Sequence, residues 1–220
     1  MVAIDGPAGA GKSTVARAVA RRLGWRYLDT GAMYRAVALA AITNGVDLDD
    51  GGELESLAAK LDLDVVGDRV ILDGRDVTED IRGGPVTDAV SAVAAHPGVR
   101  RILVDRQRAL ARMAPAVIEG RDIGTVVVPE AALKIFLIAS PIERARRRAR
   151  QLGLAADDTS IARIAAELSD RDAADAGRSI SPLTPAPDSI VLDSTDMDVA
   201  DVVDAIVARI PGEARGSTRE

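Results

Sequence analysis

The nine residues "GPAGAGKST", Gly6 to Thr14, constrain this chain more than any other stretch. An apolar run, "VAID" (2–5), precedes them. Val15, Ala16, Val19, Ala20 and Leu23 follow at helical spacing. Gly6, Gly11, Lys12 and Ser13 fit the pattern G-x-x-x-x-G-K-[ST]. A strand, a glycine-rich turn and a helix in that order make an anion cradle. The glycines let backbone N–H groups turn inward, and the helix start adds a favourable partial charge. Lys12 can reach the β- and γ-phosphates of a nucleoside triphosphate, and the Ser13 hydroxyl can ligate Mg²⁺.

The rest of the chain alternates between strand and helix patterns. Strands are expected at 26–29, 116–120, 133–139 and 189–194, and helices at 31–43, 98–113, 141–152, 160–174 and 198–210. Apolar strands separated by helices indicate a parallel sheet covered on both faces. With "VAID" they make a doubly wound, five-stranded α/β fold. The interval 63–82 breaks the pattern with β-type residues punctuated by Gly67-Asp68 and Asp73-Gly74. Those pairs are hairpin signals, so a small antiparallel insert is expected there. One domain spans 1–210, with 45–85 as an inserted subdomain and a polar tail, 211–220, expected to be disordered.

Composition removes several classes. The chain has no cysteine, which excludes disulfides and thiolate metal sites. A net charge of −6 argues against broad nucleic-acid binding. No apolar run reaches membrane-spanning length and no charged-then-apolar leader precedes the first strand, so a cytoplasmic protein with no membrane association is expected. Aromatics are only 2% of residues, so the core must be built from Ala, Val, Leu and Ile.

Of the 28 basic residues, only Lys12, Lys60 and Lys134 are lysines. Biased codon usage explains most of that. It does not explain the clustering of Arg144, Arg146, Arg147, Arg148 and Arg150, or the recurrence at Arg171 and Arg178. Arginine presents a planar fork that grips phosphate at two points. A basic solvated face fits the same cluster.

A phosphate loop alone does not separate a GTPase, a motor, a kinase or a regulatory binder. No [NT]-K-x-D element is present, since neither Lys60 nor Lys134 has that setting, which leaves a small ATP-dependent kinase as the natural class. Gly6, Pro7, Ala8, Gly9, Ala10, Gly11, Lys12, Ser13 and Thr14 are then the expected ATP-binding residues. A kinase also needs a site that holds the acceptor in line with the γ-phosphate. "DTGAMYR" (29–35) offers Thr30 as a helix cap facing an anion, Tyr34, and Arg35 one turn in; a plain capped helix fits it equally. "EGRDIGT" (119–125) places Arg121 and Asp122 at the carboxyl end of a strand, where doubly wound sheets bind ligands. Positions 171, 175 and 178 recur at i, i+4 and i+7, so one helical face presents Arg171, Asp175 and Arg178; a solvated ion pair is the alternative.

Together "GPAGAGKST", "DTGAMYR", "SAVAAHPGVR", "RQR", "GRDIGT", "KIFLIAS", "RDAADAGRSISPL" and "LDST" resemble the bacterial cytidylate kinases, in order and over about 2–210. The resemblance implies a nucleoside monophosphate kinase with an enlarged monophosphate-binding subdomain and a lid near 144–160. It implies transfer from ATP, with Mg²⁺, to CMP and dCMP, by a monomer. It assigns Arg35 and Arg121 to the acceptor phosphate, and Thr30 to a position near the nucleotide. Ser91, Arg100 and Asp122 fall around cytosine, and Arg171, Asp175 and Arg178 across ribose and phosphate. Lys12, Arg121, Arg147 and Arg148 are the expected catalytic cations. Glu119 stands where the family often has Asp, and Ala173 and Ala174 where relatives are often charged. His96 receives no chemistry. Two rivals remain at this point: a related kinase acting on UMP, shikimate or gluconate, and a regulatory nucleotide binder without turnover.

Overall fold

The computed structural model describes residues 1–155, 157–178 and 180–212. In chain order the elements are β1 (Val2–Asp5), α1 (Lys12–Leu23), β2 (Arg26–Asp29), α2 (Thr30–Asn44) and α3 (Gly51–Lys60). Then come β3 (Leu63–Val66), β4 (Arg69–Leu72), β5 (Arg75–Asp76), α4 (Gly84–Ala95), α5 (Pro97–Arg112) and β6 (Ala116–Glu119). A π-helical turn at Ile123–Val127 leads to β7 (Leu133–Ile138), α6 (Pro141–Leu152), α7 (Asp158–Ala176), β8 (Ile190–Asp193) and α8 (Val199–Arg209). The expected 211–220 tail falls mostly outside the described residues.

Five strands form one sheet in the order β2-β6-β1-β7-β8, and three form another, β3-β4-β5. The α/β expectation is met, including the separate antiparallel sheet. β1 lies at the centre of the larger sheet, parallel to both neighbours, with Ala3 opposite Ile118 on β6 and Lys134 on β7. All four β1 residues are buried, which is why the strand reads as an unbroken apolar run up to Asp5. The chain leaves β1 for one side of the sheet and later fills the other. Such a reversal of strand order opens a crevice at the carboxyl ends of the flanking strands.

The chain divides into two compact units, 1–26 with 115–220, and 27–114. In the first, Ala8 of the phosphate loop joins Ala145 and Ala149 of α6 and Ile161, Ile164 and Leu168 of α7 in one buried cluster. A small-residue core of this kind is what a chain so poor in aromatics must build. Ser140 caps α6 and Asp157 caps α7, each accepting a backbone N–H from three residues on.

The second unit carries α2, α3, the three-stranded sheet, α4 and α5. Its hairpins turn at the two predicted pairs: Gly67 has φ 60°, and Asp73 and Gly74 have φ 49° and 78°. α3 and α4 have no counterpart among the predicted helices. α3 opens on two glycines, yet Asp50 accepts the Glu53 N–H at 2.9 Å and supplies the missing start. α4 opens Gly-Pro, and proline at the first helical turn is tolerated because its absent N–H would be unpaired there. Among the described residues, no helix is long and apolar enough to cross a membrane.

Candidate active site

The phosphate loop leaves β1 at Gly6. A Cβ there would lie 2.1 Å from the Leu137 carbonyl oxygen, so the strand-to-loop bend requires glycine. Gly11 caps α1 in the left-handed region, φ 93°, with no side-chain cap on the helix start. Lys12 Nζ donates to the Pro7 carbonyl at 2.8 Å and is buried. Burial pushes Lys12 down to about 7; Arg121 adds repulsion, while Glu119, Asp5 and Asp172 oppose the shift. Ser13 and Thr14 are exposed at the helix start. The Ser13 hydroxyl has no hydrogen-bond partner among the described residues, so it fits a Mg²⁺ ligand that shares the ion with phosphate oxygens.

α6 and α7 hold this loop with side chains. Arg144 donates to the Ala8 carbonyl at 3.0 Å and pairs closely with Asp172. Asp172 also accepts the Ala8 N–H at 2.9 Å. Arg147 donates to the Ala10 carbonyl and the Ser194 hydroxyl, each at 3.0 Å, and to the Ser194 carbonyl at 2.6 Å. Glu143 accepts from Arg147 Nε at 3.0 Å and fixes the fork. Arg148 is half-buried and has no hydrogen-bond or ion-pair partner among the described residues. A cavity of about 520 Å³ lies beside these residues, lined by Gly11, Thr14, Val15, Arg147, Met197 and Val202 among others. Its lining combines apolar Val15, Met197 and Val202 with Arg147, Glu143 and Asp198, and its size suits a flat base.

At the carboxyl end of β6 the chain turns through Arg121 and Asp122. Arg121 Nε donates to Asp175 Oδ2 at 2.8 Å, and Arg178 lies 3.2 Å from Asp175 Oδ1. Asp175 is buried between the two guanidinium groups. The expectation of one helical face carrying all three of Arg171, Asp175 and Arg178 needs correction. α7 ends at Ala176, and Arg178 folds back past Gly177 to donate from Nε to the Asp175 carbonyl at 3.2 Å. Arg178 reaches Asp175 by a turn rather than by helical spacing. Asp122 is buried and its carbonyl accepts from Val126 and Val127, which opens the π-helical turn. Asp5 accepts two N–H groups of that turn. Burial pushes the Asp5 carboxyl up to about 6 and Asp122 adds to it, while the Gly124 and Ile123 N–H groups and Lys12 draw it back.

The second unit holds Thr30, Tyr34, Arg35, Ser91 and Arg100. The capping expected of Thr30 falls to Asp29, whose carboxylate accepts the Ala32 N–H at 2.9 Å. Thr30 itself is the buried first residue of α2. Arg100 stacks over the Tyr34 ring, 5.5 Å from its centroid, and donates to the Ala94 carbonyl at 3.3 Å. Arg35 donates to the Thr87 hydroxyl at 3.0 Å. Thr87 stands four residues before Ser91 on α4, so both lie on one face of that helix.

Asp5, Thr87, Asp172 and Ser194 are the residues that sequence reasoning passed over. Asp172 and Ser194 sat inside quoted motifs, "RDAADAGR" and "LDST", without a role. The i, i+4 spacing to Ser91 could have found Thr87. Nothing local marks Asp5, whose partners lie 118 and 119 residues away.

The family model described as "Cytidylate kinase" matches residues 2–212. A protein named cytidylate kinase from Pelotomaculum thermopropionicum is 52% identical over 219 residues, 97% of each chain. One of that name from Pseudomonas aeruginosa is 50% identical, covering 94% of this chain and 93% of its own. A third, from Solibacter usitatus, is 48% identical, covering 94% of this chain and 90% of its own.

Proposed function

This chain belongs to the cytidylate kinase family, and from that membership we propose that it transfers the γ-phosphate of ATP to CMP and dCMP, giving ADP with CDP or dCDP. The observation that carries the reading is the Arg121–Asp175–Arg178 cluster, set at the end of β6 in the same unit as the phosphate loop. Two guanidinium groups around one buried carboxylate concentrate positive charge where a dianionic phosphate can be gripped.

The donor nucleotide occupies the phosphate loop, Gly6 to Thr14, with its base toward the cavity beside Arg147 and Met197. Ser13 would hold Mg²⁺, which when bound would supply charge neutralisation at the nucleotide phosphates. In the first unit, Arg121 takes the acceptor phosphate, Asp122 the cytosine amino group, and Arg171, Asp175 and Arg178 the ribose and phosphate. In the second unit, Arg35 takes the phosphate, while Thr30, Tyr34, Ser91 and Arg100 serve the nucleotide and its base. The acceptor is already an anion, so no strong general base is required. Catalysis is alignment and charge neutralisation, by Lys12 and Arg121, with Arg148 as the lid cation and Arg147 held against the loop. Residues 144–160 act as the lid that excludes water. We place the reaction in the cytoplasm and the enzyme as a monomer.

Steady-state kinetics of Asp175→Ala test this reading. The variant removes the carboxylate that holds Arg121 and Arg178 together, and the KM for CMP is expected to rise about tenfold or more, with the KM for ATP within about threefold. Equal effects on both substrates would refute the acceptor assignment.

A further inference from the structure

Asp5 ends β1 one residue before the phosphate loop and has no place in the pattern that defines that loop. It is buried, and among the described residues it forms no ion pair, although the charge of Lys12 acts on it. Each carboxylate oxygen accepts one backbone N–H: Oδ1 from Ile123 and Oδ2 from Gly124, both at 2.8 Å. Those two groups open the π-helical turn that begins at Asp122, which has no side-chain cap of its own. Free N–H groups at such a start need acceptors, and here a single residue of another strand supplies both. The fit is close on the other side as well. A Cβ on Gly124 would lie 3.4 Å from Asp5 Oδ2 and 3.1 Å from Lys134 Cδ.

We infer that Asp5 is the positioning residue for the acceptor-binding pair Arg121–Asp122, setting the turn that follows them and tying it to the strand that carries the phosphate loop. The inference rests on the reading that Arg121 and Asp122 meet the CMP. A carboxylate can accept on both oxygens; an amide accepts on one and presents N–H groups from the other. Asp5→Asn therefore breaks one of the two bonds and sets donor against donor at Ile123 or Gly124. Protonation of Asp5 has the same consequence. The groups facing Asp5 are Asp122 and Lys12, with Lys134 across Gly124 and already paired to Asp188.

The pH behaviour distinguishes positioning from mere support. The Asp5 value is raised in the folded chain, so its protonated form favours folding. Its stabilising contribution is complete below the ordinary aspartate value and is lost as pH rises through about 6. CMP use should run the other way, falling as pH drops through the same value while the fold persists.

The test compares the intact protein with Asp5→Asn, Gly124→Ala and Arg121→Ala, reading kcat/KM for CMP and ADP affinity from about pH 5 to about pH 8. Asp5→Asn is expected to lower kcat/KM for CMP about tenfold or more, with ADP affinity within about threefold. The wild-type to Asp5→Asn ratio should shrink toward unity below about pH 6, and the ionisation of CMP itself cancels in that ratio. Parallel losses for CMP and ADP, or a ratio independent of pH, would overturn the inference. Gly124→Ala sets a Cβ 3.1 Å from Lys134 Cδ, against the turn that Asp5 holds, and should lose CMP use selectively. It carries the test if Asp5→Asn does not fold, and a neutral result there would overturn the inference. If Arg121→Ala leaves CMP use intact, the underlying acceptor reading fails. If Arg121→Ala is damaging and Asp5→Asn is silent, only the role of Asp5 fails.

Discussion

Lys12 is a buried amine whose Nζ donates to the Pro7 carbonyl. Desolvation holds it near 7, far below an ordinary lysine. A triphosphate brings negative charge to the loop and favours the charged ammonium, so nucleotide binding should raise the Lys12 value. The free protein is then largely neutral at Lys12 around pH 8 and takes up a proton on binding ADP. Calorimetry in buffers of different ionisation enthalpy should report uptake approaching one proton there, and no buffer dependence would contradict the account. Lys12→Ala should lower kcat/KM for transfer by about a hundredfold or more, the cost of removing one preorganised charge at the reacting phosphate. Its circular dichroism should match the wild type. Near-normal turnover would remove Lys12 from the mechanism.

At the scale of elements, α6 divides its arginines by task. Arg144 and Arg147 bind carbonyls of the phosphate loop, whereas Arg148 has no such partner among the described residues. Two variants one residue apart should therefore behave differently. Arg147→Ala removes the tie between α6, Ala10 and Ser194 and should weaken ADP binding about tenfold or more, consistent with loss of charge-assisted hydrogen bonds. Arg148→Ala should leave ADP binding near wild type and lower kcat. Matching effects from the two would contradict that division. Asp172→Asn leaves the buried Arg144 guanidinium without its countercharge and the contact to the Ala8 N–H weakened. A destabilisation of about 3 kcal/mol is expected, read from the shift in the urea midpoint.

At the scale of the molecule, β1, β6 and β7 were legible because each is a short, largely buried apolar run beside turn residues, while the edge strands β2 and β8 are more exposed and were read from their place between helical patterns. Gly67-Asp68 and Asp73-Gly74 likewise announced the small sheet through their backbone freedom. α3 and α4 were not legible: glycines at their starts lower helix propensity, and the compensation comes from Asp50 and from Pro85 at a first turn. The phosphate loop could be read because nine adjacent residues carry it. Asp5 could not, since its partners lie more than a hundred residues away, and Asp172, though inside a motif, gave no sign of its contact with Ala8, 164 residues away. Thr30 misled for a related reason: two adjacent residues, Asp29 and Thr30, can both cap, and only the backbone decides between them. On this reading the whole molecule serves to move phosphate from ATP to a cytosine nucleotide. A coupled ADP-release assay across CMP, dCMP, UMP, AMP and shikimate, with CDP confirmed as product, tests it most directly. The account predicts the highest kcat/KM with CMP or dCMP; faster turnover of any other acceptor, or ADP release without CDP, would contradict it.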